Sequence, residues 1–208
     1  MTQTIIARDV TLRQLKQSFG LQASQSANFF PEWSASHAAL SELEQQSLDR
    51  VKANVIDMMA DPPVLENSVK LVALAPLLDL AGFYRRPFRL TTEPGVDIEA
   101  EDDDIVVRGR IDVLVLREQL WLLVIESKRS DFAVTRALPQ ALAYMLSNPS
   151  ETLPTYGMIT NGNEFLFLKA AKTPTPTYGN SRLFSLVNPG NELHNVLQIL
   201  RTIGTATR

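Results

Sequence analysis

The pattern of apolar and polar positions divides this chain into elements before any chemistry is considered. Thr11-x-x-Gln14 reads as a capping box for a short helix ending near Gly20. Ser41-x-x-Glu44 reads as a second box, opening a longer helix that runs to about Ala60 before Asp61-Pro62-Pro63 stops it. Leu43, Leu48, Val51, Val55 and Met58 or Met59 give that helix an apolar stripe. Between them Phe29, Phe30 and Trp33 flank Pro31 and read as a hydrophobic plug. Base stacking is the alternative for such a cluster, but no basic residue is interleaved. Leu65 to Ala81 predicts an apolar helix, kinked at Pro76 and closed by Gly82.

Strands follow. Phe83 to Thr92 reads as an outer strand, because Pro87 cannot donate to a central ladder. Ile105 to Leu116 and Leu120 to Lys128 read as two buried strands joined at Arg117-Glu118-Gln119. A helix is expected near Pro139 to Ser147. Tyr156 to Thr160 and Glu164 to Lys169 form a hairpin across Asn161-Gly162. Ala171 to Gly179 reads as a Pro/Thr loop. Asn191 caps a final helix with Leu193, Val196, Leu197, Leu200 and Ile203 facing inward. The order is helices, then α-β-β-β-α-β-β, then a helix, which predicts the α/β class with a mixed sheet flanked by helices. Residues 1–62 read as an N-terminal helical extension and 63–208 as the main domain.

The polar exceptions inside the apolar strands carry the candidate chemistry. Strand alternation places Leu120, Leu122, Val124, Glu126 and Lys128 on one face. A three-residue loop at Arg117 to Gln119 sets Asp112 opposite Val124 and diagonal to Glu126, about 7–8 Å away. A one-residue slip would turn Asp112 to the other face. Two carboxylates and an ammonium leaving a sheet together suit a divalent cation, since Mg²⁺ takes one or two carboxylates and keeps waters and substrate oxygens. The plainer alternative is a structural ion pair of a buried acid with Arg110 or Lys128. Glu66 alone reads as a helix-dipole residue paired with Lys70, and Gln140 with Tyr144 as a polar pair at i, i+4 of the kind usual on a surface.

Five stretches in order change that balance: Glu66 opening its helix, Gly109-Arg110-Ile111-Asp112, Ile125-Glu126-Ser127-Lys128, Gln140 to Tyr144, and Ile159 to Phe165. Together they resemble the PD-(D/E)xK nuclease superfamily, and within it the amino-terminal nuclease domain of type I restriction enzyme R subunits. The resemblance implies a restriction-endonuclease-like fold with an αβββαβ core. It implies Mg²⁺ (or Mn²⁺) bound by Asp112, Glu126 and the accessory acid Glu66. It makes Lys128 the catalytic lysine and Gln140 and Tyr144 the glutamine–tyrosine pair of the following helix. The activity implied is a metal-dependent endonuclease acting on DNA, as a homodimer or within a larger restriction-type assembly. The alternative is a nuclease-fold module that binds nucleic acid or a partner protein without cutting.

Composition narrows the field further. The 208 residues are 45% hydrophobic and 21% charged, ordinary for a globular protein. Net charge is −3, so no overall basic field advertises nucleic acid. Arg85, Arg86 and Arg89 cluster and read as solvated side chains, with a phosphate-contacting patch as the alternative, whereas the acidic run Glu99 to Asp104 reads as a solvated turn that repels DNA. The absence of cysteine excludes disulfides and thiolate metal sites and fits a reducing cytoplasm. No secretory pattern or membrane-spanning run is present, so a cytoplasmic protein is expected. GxxxxGK[ST], GxSxG and HExxH are all missing. A chain without the motor motifs of R subunits is not expected to translocate DNA by itself.

Overall fold

The computed structural model describes residues 3–99, 105–118 and 120–206. Of the acidic run, all but Glu99 lies outside the described residues, as does Gln119 of the expected turn.

A seven-stranded mixed sheet organises the molecule. Its strands are β2 (Gln22–Ala23), β3 (Phe88–Thr92), β6 (Val113–Arg117), β7 (Leu120–Ser127), β8 (Thr155–Thr160), β9 (Glu164–Ala171) and β10 (Thr177–Ser185). They lie in the order β2-β10-β9-β8-β7-β6-β3. A three-stranded sheet, ordered β1-β5-β4, is built from β1 (Gln3–Ile6), β4 (Gly95–Glu99) and β5 (Ile105–Arg110). The first 62 residues thus supply two short strands, β1 and β2, as well as helices α1 (Leu12–Phe19) and α2 (Glu42–Met58). Both expected capping boxes are formed, by Thr11 with Gln14 and by Ser41 with Glu44, and Gly20 ends α1 in the left-handed conformation.

Helices cover both faces of the larger sheet. On one side α2, α4 (Ala75–Leu80) and α6 (Leu193–Thr205) pack on Val113, Val115, Leu123, Ile125, Met158 and Phe167. On the other, α1, α5 (Leu138–Leu146) and the small sheet pack on Leu114, Val124, Ile159 and Leu168. Each fully buried Leu or Ile contributes roughly 1.5–3 kcal/mol. All five expected inward positions of α6 are buried, whereas Leu43 of α2 is exposed and leaves the predicted stripe. Phe30 is buried in the first core, with Phe29 and Trp33 packed against it, as the plug reading requires.

Four local expectations are corrected. Pro76 does not simply kink one helix: α3 (Glu66–Val69) passes through a π-turn at Lys70–Leu74 before α4 begins. Proline has no N–H and its ring crowds the carbonyl four residues earlier, so a wider turn relieves the ladder just before it. Ile105 to Leu116 is two strands, because the chain leaves β5 at Ile111-Asp112 and enters the other sheet as β6. There Ile111 N–H donates to the Pro94 carbonyl, and the Asp112 carbonyl accepts from Glu93 N–H. The Pro/Thr loop is shorter than expected, since Thr177 already starts β10. The β6–β7 connection is one residue shorter than expected, because Arg117 pairs with Leu120, and Glu118 has φ +58°.

That shorter connection alone would turn Asp112 to the wrong face. A bulge restores it: Leu116 pairs with Trp121, but Val115 pairs with Leu123. Leu122 is the extra residue and joins Leu123 and Ile125 in the first core, so it does not share the face of Val124. The next pair is Val113 with Ile125, which brings Asp112 in line with Glu126 rather than diagonal to it.

Candidate active site

Glu126 is the penultimate residue of β7, on the α5 side of the sheet with Val124. The residue is only 2% exposed. Its Oε1 accepts a hydrogen bond from Lys128 Nζ at 2.6 Å, and its Oε2 is buried without a hydrogen-bond donor. Burial raises its pKa to about 7, and the negative charges of Asp112 and then Glu66 push in the same direction, against the pull of Lys128.

Asp112 sits in the crossing between the two sheets, where the backbone is released from both ladders. Its Oδ2 accepts from the Ser127 backbone N–H at 2.7 Å, which ties it to the strand end carrying Glu126. Its Oδ1 accepts from Lys70 Nζ at 2.6 Å. Lys70 is absent from the sequence-based candidates, which paired it with Glu66. The signal that points to it is Pro76, which forces the π-turn that Lys70 opens.

Lys128 also donates to Gln140 Oε1 at 3.0 Å, and Gln140 Nε2 donates to the Tyr144 hydroxyl at 3.0 Å. Proline at the second position of α5 starts this helix, and Gln140 and Tyr144 stand one turn apart on it. Tyr144 is buried, not a surface residue. Burial raises its pKa to about 12. Five of the six candidate residues are thus linked by hydrogen bonds or through the Asp112–Ser127 contact. Glu66, at the first position of α3, joins them through its effect on Glu126 and through a shared cavity.

That cavity, about 490 Å³, opens at Glu66, Lys128 and Gln140 and is rimmed by Arg8, Arg129, Phe132 and Arg136. Arg129 is held by Asp131, whereas Arg136 lies over the Phe132 ring at 5.5 Å. A larger hollow of about 660 Å³ lies on the small sheet beside the exposed Asp97–Arg108 pair and contains none of the six residues. Titratable groups with like-charge crowding lie beside the smaller one, and that combination marks a site better than size does. Among the described residues no group of three His, Cys, Asp or Glu side chains is arranged to hold a metal ion.

Arg85, Arg86 and Arg89 are exposed around the start of β3, as expected for solvated side chains. His37 bonds Thr202 and His194 lies near Asp49, so neither histidine takes part in the site. Among the described residues no helix is long and apolar enough to cross a membrane.

Comparison with curated proteins gives no match. The family model of the type I restriction enzyme R protein N terminus matches residues 32–175, well over half of the chain and all six candidate positions. With its mixed sheet flanked by helices in a restriction-endonuclease-like fold, the chain belongs to that family.

Proposed function

We propose that this chain is an endonuclease that hydrolyses DNA phosphodiester bonds with the help of Mg²⁺ or Mn²⁺, alone or as a subunit of a restriction-type assembly. The observation that carries this reading is Glu126 Oε2, a buried carboxylate oxygen with no donor, in a site crowded by two further acids. Such an oxygen is costly unless a cation satisfies it. An all-carboxylate donor set fits a hard divalent ion whose remaining ligands are water and phosphate oxygens. Asp112 and Glu126 would hold it, with Glu66 as the accessory acid. When bound, such an ion compensates phosphate charge and acidifies water.

The protein's own groups supply the rest. Lys128, fixed between Glu126 and Gln140, is placed to orient the attacking water and to stabilise charge on the phosphate. Gln140 and Tyr144 hold Lys128 from α5. Arg136, at the rim and not paired with an acid among the described residues, suits a neighbouring phosphate. The test is divalent-dependent nicking of plasmid DNA by the wild type against Asp112→Ala and Lys128→Ala. Loss in both supports the assignment, and persistence in both removes it.

One observation favours the second reading, a module that binds nucleic acid or a partner without cutting. Lys70 already occupies Asp112, as a structural ion pair does. Calorimetric titration with Mn²⁺ separates the two. Binding that disappears in Glu126→Ala contradicts a metal-free module.

A further inference from the structure

Lys70 is a half-buried charge at the site that the proposed chemistry leaves unused. Its side chain is about one-fifth exposed, and its ammonium meets Asp112 Oδ1 at 2.6 Å. The other oxygen of Asp112 is taken by the Ser127 N–H. Both oxygens of the aspartate are therefore engaged, one of them by a cation. Glu126, by contrast, has one oxygen held by Lys128 and one without a donor.

Local backbone geometry makes this placement specific. Lys70 opens the π-turn, where its carbonyl accepts from Ala75 N–H five residues on. Glu66, four residues earlier and on the same face, lines the cavity and raises the pKa of Glu126. One helix start thus delivers an acid and an ammonium to the same pair of strand-end carboxylates. Three acids against two lysines leave one excess negative charge. A divalent cation reverses that sign, to the one a phosphodiester needs.

We propose that Lys70 is a positioning residue that competes with the divalent cation for Asp112. The ammonium fixes the carboxylate beside Glu126, and it must leave Oδ1 before the ion takes that oxygen. The inference rests on reading Asp112 and Glu126 as the metal ligands. Two consequences separate it from a purely structural ion pair. Removing the ammonium strengthens metal binding, and it weakens the protein only while no metal is supplied.

The experiment compares wild type, Lys70→Gln, Lys70→Met and Asp112→Asn by Mn²⁺ titration calorimetry and by thermal unfolding with and without Mn²⁺. Both Lys70 variants no longer hold Asp112 by a hydrogen bond to a charged group, and they are expected to bind Mn²⁺ about tenfold more tightly or better. Each has a lower Tm than wild type without metal and a larger Mn²⁺-induced rise in Tm. Equal or weaker Mn²⁺ binding in both Lys70 variants, with binding lost in Asp112→Asn, overturns the competition and leaves the ligand assignment intact. No heat and no Tm shift in any of the four proteins overturns both. Two replacements of different polarity guard against one that merely misfolds, and a cooperative unfolding transition verifies that each is folded.

Discussion

The molecule contains two carboxylate–lysine clusters of nearly the same local design, set against opposite faces of the larger sheet. In one, Lys128 meets Glu126 at 2.6 Å; in the other, Lys169 meets Glu32 at 2.6 Å. Both lysine side chains are 14% exposed, and both glutamates keep a buried oxygen without a donor. The difference is the company. Glu32 also accepts from the Tyr156 hydroxyl at 2.6 Å, and the Lys169 ammonium lies over the rings of Phe29 and Tyr156. Among the described residues no second acid takes part. Glu126 has Asp112 and Glu66 beside it, and both add to the rise in pKa that burial chiefly causes. The Glu32 cluster pins the Phe29–Trp33 segment to β8 and β9. The Glu126 cluster concentrates negative charge that the fold itself does not need. Crowding of like charges, rather than a buried ion pair, distinguishes a site for a cation from a clasp.

The largest expected effect breaks or confirms that contrast directly. Glu126→Gln and Lys128→Ala are expected to lower plasmid nicking by on the order of a thousandfold, as for removal of a transition-state contact. Glu32→Gln leaves the rate within about twofold, because it touches none of the reacting groups. Equal losses on the two sides would abolish the distinction.

Next in size is the pH dependence of stability. Glu126 moves from 4.5 to about 7 on folding, so between those values the folded state binds more protons than the unfolded chain. Stability is therefore highest below pH 4.5 as far as this group is concerned, and it falls as pH rises towards about 7. At 1.36 kcal/mol per unit the fall is at most about 3 kcal/mol. Chemical denaturation of wild type and Glu126→Gln from pH 5 to 8 measures it. The decline should be present in the wild type and flattened in the variant. Parallel curves would remove the raised pKa of Glu126, and with it both the burial and the crowding invoked for it.

A smaller effect of the opposite kind belongs to the clasp. Lys169→Met leaves Glu32 mostly buried and without its cation, which costs about 1–3 kcal/mol. For a chain of this size that lowers Tm by about 2–4 °C per kcal/mol, with nicking per folded molecule unchanged. A variant as stable as wild type would show that Glu32 needs only Tyr156.

Much of this was legible in the residues because it follows from period and punctuation. Thr11, Ser41 and Asn161-Gly162 mark element ends through local hydrogen bonds, and the apolar spacing of α6 fixes its inner face. The common face of Asp112 and Glu126 was also readable, although by a route with two compensating differences. The connection after Arg117 is a residue short, and Leu122 is a residue extra. Local sequence does not reveal a bulge whose bulged residue is another leucine, since only cross-strand packing selects it. The break at Ile111-Asp112 was hidden for a similar reason. An apolar run follows it from Val113, and which sheet each half joins depends on partners outside the stretch, among them β1 near the start of the chain. Helical spacing makes Glu66 the neighbour of Lys70, while the contact with Asp112 spans 42 positions and has no signal in local spacing.

The finest test concerns what props each cluster up, and here two glycines make a matched pair. A Cβ at Gly109 of β5 would lie 2.7 Å from the Tyr144 hydroxyl and 2.8 Å from the Ala7 Cβ. Tyr144 must then shift, and with it Gln140, which holds Lys128. Gly179 of β10 is the counterpart: a Cβ there would lie 2.9 Å from Phe29, whose ring underlies Lys169. Gly109→Ala is expected to lower the nicking rate about tenfold, the cost of roughly 1.4 kcal/mol in the placement of one catalytic group. Mn²⁺ affinity should change little, because among the described residues the Tyr144 hydroxyl is hydrogen-bonded to the Gln140 side chain and not to that of Asp112 or Glu126. Gly179→Ala should lower Tm and spare the rate. Single-turnover nicking, Mn²⁺ titration and thermal unfolding of the two variants give the readout. If Gly109→Ala loses metal affinity in step with rate, the tyrosine–glutamine arm supports the acids as well as the lysine. If it loses neither, Lys128 is held by Glu126 alone and the arm from α5 has no part in the chemistry.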